Sequence, residues 1–122
     1  MKIIEAINRI DQQKPNGYSQ ADKIRWLSRL DGKIKAEIID KHEGAVDTTF
    51  SEYTEEELYT ELLVPHPYEE VYDLWLESQI DYANGETARY NNSISAFNYA
   101  YQVYERFYNR EHMPKGNQFK FF

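Results

Sequence analysis

Carboxylates are the most numerous side chains in this sequence that could do chemistry, with 21 Asp and Glu among 122 residues. Three of them, Asp73, Glu77 and Asp81, recur every four residues, so they share one face of a helix. Two facing carboxylates could carry out acid–base work on a glycosidic bond. The same spacing is typical of a solvated helix face and also suits contact with a partner. Because no pocket signal accompanies these acids, we interpret them as a solvated face and expect no catalytic residues.

The spacing of the histidines is not typical of a metal site. The three of them, His42, His66 and His112, stand far apart, and the chain has no cysteine. A zinc or iron site would therefore need ligands brought together from distant segments. Serine-nucleophile motifs, phosphate-binding glycine loops and EF-hand spacing do not occur in the sequence either. We predict neither a metal nor a cofactor.

Charge divides the chain into three parts. Residues 43–86 contain thirteen acidic residues and no basic one, whereas residues 1–42 and 87–122 each carry a net +3. The acidic part is interpreted either as a solvated loop and helix face or as a surface that meets the basic end of another subunit. The partner-binding candidates in this part are three consecutive acids: Glu55, Glu56 and Glu57. No dense stripe of Lys and Arg is present, which disfavours sequence-specific binding of nucleic acid.

The C-terminal tail, residues 113–122, is aromatic and basic. Three phenylalanines among its last four residues would be costly to expose on a free terminus. The tail therefore either folds back onto its own domain or docks on a partner, and both alternatives stay open. Its partner-binding candidates are Lys115, Phe119, Lys120, Phe121 and Phe122. We predict a single helical domain over residues 1–112, followed by this tail.

Length and hydropathy place the chain among small single-domain proteins. At 122 residues it can bury one core of modest size. No apolar run approaches the length needed to cross a bilayer, and residues 1–10 carry too much charge for a signal-peptide core. We therefore expect a cytosolic protein, or one released by lysis, that does not contact membranes.

Apolar spacing predicts a mainly α fold, a small helical bundle of four helices. The first helix is predicted over residues 3–12, and the second from an N-cap at Ser19 to about Lys41, with a bend or break at Gly32. A third helix begins near Pro67 or Tyr68, and Gly85 ends it. The fourth is predicted from an aromatic stripe that runs at helical spacing from Tyr90 to Tyr108. Because the joint at Asn84-Gly85 is so short, the last two helices should pack antiparallel.

The insertion between the second and third helices, residues 43–67, has a different character. Thr54 to Glu57 predicts one short helical turn, since acids suit a helix N-terminus. The compact apolar run Leu62–Val64 is interpreted as a short strand, ended by prolines. Its predicted partner is the stretch from Thr48 to Ser51, which would make a small β-hairpin.

Several stretches also carry a resemblance to known proteins. The longest, Trp75–Glu86, reads WLESQIDYANGE, and a second, His112–Gly116, reads HMPKG. The others are Tyr90–Ser93, Phe97-Asn98, Tyr108–Arg110, Trp26–Ser28, Leu30–Gly32 and Glu37–Asp40. Together they resemble small proteins encoded by tailed phages and prophages of Gram-positive bacteria, similar to the head–tail connector, or head-completion adaptor, class. The likeness runs nearly from end to end.

The resemblance implies a non-enzymatic structural protein. Subunits of that class are helical and assemble as a ring under the portal of the filled capsid, where they extend the DNA channel. The implied partners are other copies of the chain and the neighbouring portal or tail proteins. The implied location is the virion, with the cytoplasm of the bacterial host as the place of assembly.

Two other functional classes remain open at this point. One is a different phage or bacterial interaction module, such as a tail-completion or regulatory protein, whose acidic block binds a basic partner. The other is a small enzyme that uses buried carboxylates. Such an enzyme would require a concave pocket and acids whose pKa is strongly raised.

Overall fold

The computed structural model of this protein describes residues 1–42 and 49–112. Within these residues the chain forms α1 (Ile3–Gln13), α2 (Gln20–Glu37), α3 (Glu70–Ala83) and α4 (Thr87–Glu111). A single 3₁₀ turn, Ile39–Lys41, follows α2. The predicted fold class, a mainly α small helical bundle, is confirmed. The C-terminal tail lies outside the described residues.

The first two helices begin as their sequences predict. In α1 the stripe Ile3, Ile7 and Ile10 is buried in the core. At the start of α2 the Ser19 hydroxyl accepts a hydrogen bond from the Asp22 backbone N–H at 3.1 Å. This bond satisfies one of the four donors that a helix N-terminus leaves without an internal partner.

The predicted break at Gly32 is absent, because α2 runs without interruption from Gln20 to Glu37. The glycine instead makes room for an aromatic ring from the insertion. A Cβ atom at position 32 would lie 3.3 Å from Cδ1 of Phe50, closer than ordinary van der Waals contact. Glycine lowers the helix propensity of this position, but the absence of a Cβ atom lets the Phe50 ring pack against the helix. The helix also ends earlier than predicted, with the 3₁₀ turn continuing to Lys41.

The last two helices form the predicted antiparallel pair. Gly85 adopts a φ of 74°, the left-handed conformation that ends α3 at low steric cost. The aromatic contacts then run in opposite directions along the two helices: Tyr82 with Tyr90, Trp75 with Phe97, and Tyr68 with Tyr104. The apolar residues that α3 buries in the core are Val71, Tyr72, Leu76 and Ile80, and those that α4 buries are Phe97, Tyr101 and Tyr104.

The described part of the insertion contains no strand, and the predicted hairpin is wrong in its pairing. Thr48 lies outside the described residues, and Leu62 does not bond to residues 49–51 but donates its backbone N–H to the Met1 carbonyl at 2.9 Å. A lone antiparallel bridge joins Lys2 to Glu61.

The backbone N–H groups at the start of α1 explain why the insertion packs against this end of the helix. Helix N-termini have unpaired N–H groups, and those of Ile3 and Ile4 donate to the carbonyls of Thr60 and Leu58 at 3.0 and 2.9 Å. The insertion therefore completes the first helix of the bundle.

Gly85→Ala should lower the free energy of unfolding by about 1 kcal/mol, because a Cβ atom disfavours the left-handed backbone conformation. Gly17→Ala is the matched control, since nothing lies within 4 Å of a Cβ added there and its φ is not left-handed. Urea unfolding followed by circular dichroism measures both. Equal effects of the two substitutions would contradict the conformation assigned to Gly85.

Candidate interaction surface

One buried acid organises the described structure from the inside. Asp31 of α2 is 0% exposed. Its Oδ1 accepts a hydrogen bond from the Tyr72 hydroxyl at 2.6 Å. Its Oδ2 accepts from the Tyr53 hydroxyl at 2.6 Å and from the Leu63 backbone N–H at 3.1 Å. The Tyr72 hydroxyl in turn accepts from the Val64 backbone N–H at 2.8 Å. We call Asp31, Tyr53, Tyr72 and the backbone of 63–64 the Asp31 cluster; it joins α2, α3 and the insertion.

Burial sets the ionisation of this cluster. It raises the pKa of Asp31 above its ordinary value, although the three hydrogen bonds to its oxygens oppose the shift. Burial also raises the pKa of Tyr53 and of Tyr72, and the neighbouring Asp31 raises both further. A buried acid with a raised pKa is one of the two features that an enzyme would require. The other is a pocket, and Asp31 does not line the open cavity along α1, the one between α3 and α4, or the one beside Glu77.

The interpretation of Asp73, Glu77 and Asp81 as a solvated face is wrong for two of the three acids. Asp73 is mostly buried and accepts two hydrogen bonds from Arg9, at 3.1 and 2.6 Å, which raise the pKa of that guanidinium. Asp81 is 2% exposed and accepts a hydrogen bond from the Ser93 hydroxyl at 2.9 Å. These acids hold α3 against α1 and α4 and are not free to meet a substrate.

Asp81 also has a cationic partner. Its Oδ1 lies 2.7 Å from the Lys14 ammonium, off the preferred hydrogen-bond direction, so the contact is an ion pair. Glu77, which is half-buried, lies beside this pair in an open cavity of about 310 Å³ that Arg89 also lines. Acidic and basic side chains both line this cavity, and its most buried acid, Asp81, is already paired with Lys14.

The acidic triplet of the insertion is split by the structure. Glu55, Glu56 and Glu57 are all exposed. Glu57, however, has an internal role, because its Oε1 accepts hydrogen bonds from the backbone N–H and the hydroxyl of Thr54 at 2.9 and 3.0 Å. The Glu57 N–H donates a bond to the Thr54 carbonyl at 3.0 Å, so residues 54–57 form a turn; it is not the predicted helical turn, because no helix begins among these residues. Glu55 and Glu56 project from its tip, and we call residues 54–57 the acidic turn.

Three tyrosines on the surface were not singled out by the sequence. Tyr59, Tyr82 and Tyr99 are 74%, 70% and 67% exposed. Tyr59 is the second residue after the acidic turn, and the Lys2 ammonium lies 5.9 Å from the centre of its ring. Tyrosine is enriched in protein–protein interfaces because it offers a large rigid ring and a hydroxyl that can stay hydrated. Exposed tyrosines beside exposed acids favour contact with another protein.

The described cavities differ in chemistry. A polar cleft of about 540 Å³ lies along the outer side of α1, between Glu5, Arg9 and Glu69. An apolar groove of about 330 Å³ lies between α3 and α4, lined by Leu74, Tyr99 and Ala100 among others. We call this second site the α3–α4 groove. The spacing of Ala96, Tyr99, Ala100 and Val103 could have revealed it as a second apolar stripe on α4.

Folding brings together two histidines that the sequence separates. The ring centres of His42 and His112 are 6.1 Å apart. His42 is buried, with its ring nitrogens 2.6 Å from the Ile38 carbonyl and 2.8 Å from Asn109 Oδ1. His112 stacks on Tyr108 with 3.8 Å between ring centres. Among residues 1–42 and 49–112, no cluster of three or more His, Asp or Glu side chains is arranged to hold a metal ion.

The remaining candidates from the sequence are the tail residues Lys115, Phe119, Lys120, Phe121 and Phe122, which lie outside the described part of the chain. Their proposed role in partner binding stays a prediction. No helix within the described ranges combines the length and apolar composition needed to span a bilayer.

Asp31→Ala should lower the free energy of unfolding by about 3–5 kcal/mol, because it leaves two hydroxyls and one backbone N–H without their buried acceptor. Tyr53→Phe removes a single hydrogen bond of the cluster and should cost about 1 kcal/mol. The exposed substitution Glu111→Ala serves as the control and should change stability by less than about 0.5 kcal/mol. Urea unfolding measures all three. A loss for Asp31→Ala no larger than that for the control would refute the central role of this carboxylate.

Asp31 should also make stability depend on pH. Because its pKa is raised in the folded state, the folded protein binds more protons than the unfolded chain between about pH 4 and the raised value. The contribution of Asp31 is therefore fully present below that window and is lost as pH rises through it. The measurement is the difference in unfolding free energy between the natural protein and Asp31→Asn, taken at a series of pH values. This difference should fall with rising pH and then level off; a rise would contradict the assigned direction.

Comparisons with protein-family models, with curated proteins and with solved structures give no match to this chain. The structural observations that bear on function are therefore those of the chain itself: acids tied into internal bonds, an exposed acidic turn, three exposed tyrosines and an apolar groove. These features favour a surface that other proteins contact.

Proposed function

We propose that this protein is a non-enzymatic structural protein of a tailed phage, a head–tail connector whose copies form a ring under the portal and extend the DNA channel. The observation that supports it most directly is the exposed acidic turn, projecting from a bundle whose buried acids are occupied by internal bonds. The resemblance of Trp75–Glu86 and the other stretches supplies the phage context. The site residues are contact residues, and catalysis is not part of the proposal.

The charge distribution suits a ring of identical subunits. A closed ring is built from head-to-tail contacts, in which one surface of a subunit meets a different surface of the next. Here residues 43–86 are strongly acidic, whereas residues 87–122 carry a net +3. Opposite charges on the two faces would favour the correct neighbour and would disfavour contacts between like faces.

The Asp31 cluster supports this use of the acidic turn. Tyr53 and Leu63, on either side of the turn, both bond to the same carboxylate oxygen. The chain between them is therefore held at two points, and Glu55 and Glu56 are presented from a fixed base. An interaction surface that is already ordered loses less conformational entropy on binding. A rigid acidic projection could face a basic subunit surface, or could face the channel and let DNA slide past by repulsion.

A second candidate is a different interaction module, such as a tail-completion or regulatory protein of a phage or bacterium. The same exposed acids favour it, because Glu55 and Glu56 would suit any basic partner. The two candidates differ in stoichiometry. A connector is present in every particle at a constant number of copies, whereas a regulatory protein is not part of the filled particle.

The experiment that tests the proposal is quantitative mass spectrometry of purified phage particles induced from the source strain. The measured quantity is the ratio of this protein to the major capsid protein. The expected result is a constant ratio that corresponds to about one ring per particle. Absence of the protein from intact, filled particles would refute the connector role and favour the second candidate.

The same ratio tests the acidic turn. Glu56→Lys should reduce incorporation into particles roughly tenfold, which corresponds to about 1.4 kcal/mol, because it places a like charge against a basic neighbouring surface. Glu111→Lys is the matched control, since it makes the same charge change at an exposed acid of the basic part, where an added cation should not weaken contact with an acidic face. Both variants should unfold like the natural protein. Equal incorporation of the two variants would remove the acidic turn from the interface while leaving the ring itself tested by the preceding measurement.

A further inference from the structure

The α3–α4 groove is an apolar surface that the described elements do not cover. Leu74 and Tyr68 line it from one side, and Ala96, Tyr99, Ala100 and Val103 line it from α4. The four α4 residues follow helical spacing on one face. Tyr99 is 67% exposed and Ala96 is also exposed, so neither α1 nor α2 packs over this face. Small side chains at 96 and 100 leave space that a larger apolar group could fill.

We propose that the α3–α4 groove is the docking site for the C-terminal tail of the same chain, with the phenylalanines of residues 117–122 as the occupants. This inference concerns the free subunit and does not depend on the connector role. It assigns a site to Phe119, Phe121 and Phe122, three large apolar side chains within four residues that would otherwise need another cover.

The length of the tail fits this site. Helix α4 ends at Glu111, and Tyr99 lies about 18 Å before that point at 1.5 Å per residue. The segment 117–122 spans about 20 Å when extended, which covers this distance. Pro114 and Gly116 are residue types that favour turns, so the chain can reverse between α4 and the segment. The phenylalanines can therefore reach back as far as Tyr99.

Chemistry and connectivity also favour this occupant. The groove is mainly apolar, which suits phenylalanine rings, and Glu70 at its edge offers an acid to Lys120 of the tail. The tail is covalently joined to α4 by a short connection. A short connection between two groups gives an effective concentration of about a millimolar, so the groove of the same molecule is occupied before that of a second copy.

The test is a comparison of backbone amide NMR spectra of the full chain and of the full chain with Phe119→Ser, Phe121→Ser and Phe122→Ser. The expected result is a set of shift changes concentrated at the groove, at residues such as Leu74, Ala100 and Val103. Asn117→Ser with Gln118→Ser is the control in the same tail and should leave these signals in place. An absence of changes at the groove, or changes centred elsewhere in the bundle, would overturn the proposal.

Two further measurements distinguish docking of the chain's own tail from other occupants of the groove. Val103→Asp should abolish the difference between the natural tail and the serine tail, whereas Gln102→Asp, at the exposed neighbouring position, should preserve it. The groove signals should also be independent of protein concentration, with a monomer mass in light scattering throughout. Signals that appear only as a dimer forms would show that the groove takes the tail of a second copy, and would overturn docking within one chain.

Discussion

The hydrogen bonds to Asp31 are the constraint on which the rest of the described structure depends. One carboxylate, 0% exposed, accepts bonds from α3 through Tyr72, from the insertion through Tyr53, and from the backbone of Leu63. A buried charge without a cation is costly, and only a full set of donors makes it tolerable. The Asp31 cluster is therefore favourable only when α2, α3 and the insertion are all in place.

The surface of the protein follows from that internal constraint. Because Tyr53 and Leu63 are held by the same carboxylate, the acidic turn between them has a fixed base, and its acids at 55 and 56 point away from the bundle. The same insertion supplies the carbonyls that complete the first turn of α1. A segment that looks like a loop in the sequence thus connects three helices and presents the charge on which the proposed contacts depend.

Much of the fold could be predicted from the sequence, because its signals are local. The stripe of α1, the Ser19 cap and the left-handed Gly85 each depend on residues within a few positions of one another. The break predicted at Gly32 was wrong. Helix propensity includes the cost of a glycine within a helix, but it takes no account of the Phe50 ring that packs against Gly32. The hairpin pairing was wrong because Leu62 donates its backbone N–H to the Met1 carbonyl, which is distant in the sequence.

The sequence alone therefore determined the four helices, the Ser19 cap, the antiparallel joint at Gly85 and the three-part distribution of charge, since each follows from neighbouring residues or from composition. Only the tertiary structure decided what the carboxylates do. Spacing by four showed that Asp73 and Asp81 share a helix face, but their partners stand more than sixty residues away, Arg9 on α1 and Lys14 directly after it. The role of a charged side chain depends on burial and on its partners, and both are set by contacts between segments that are distant in the chain.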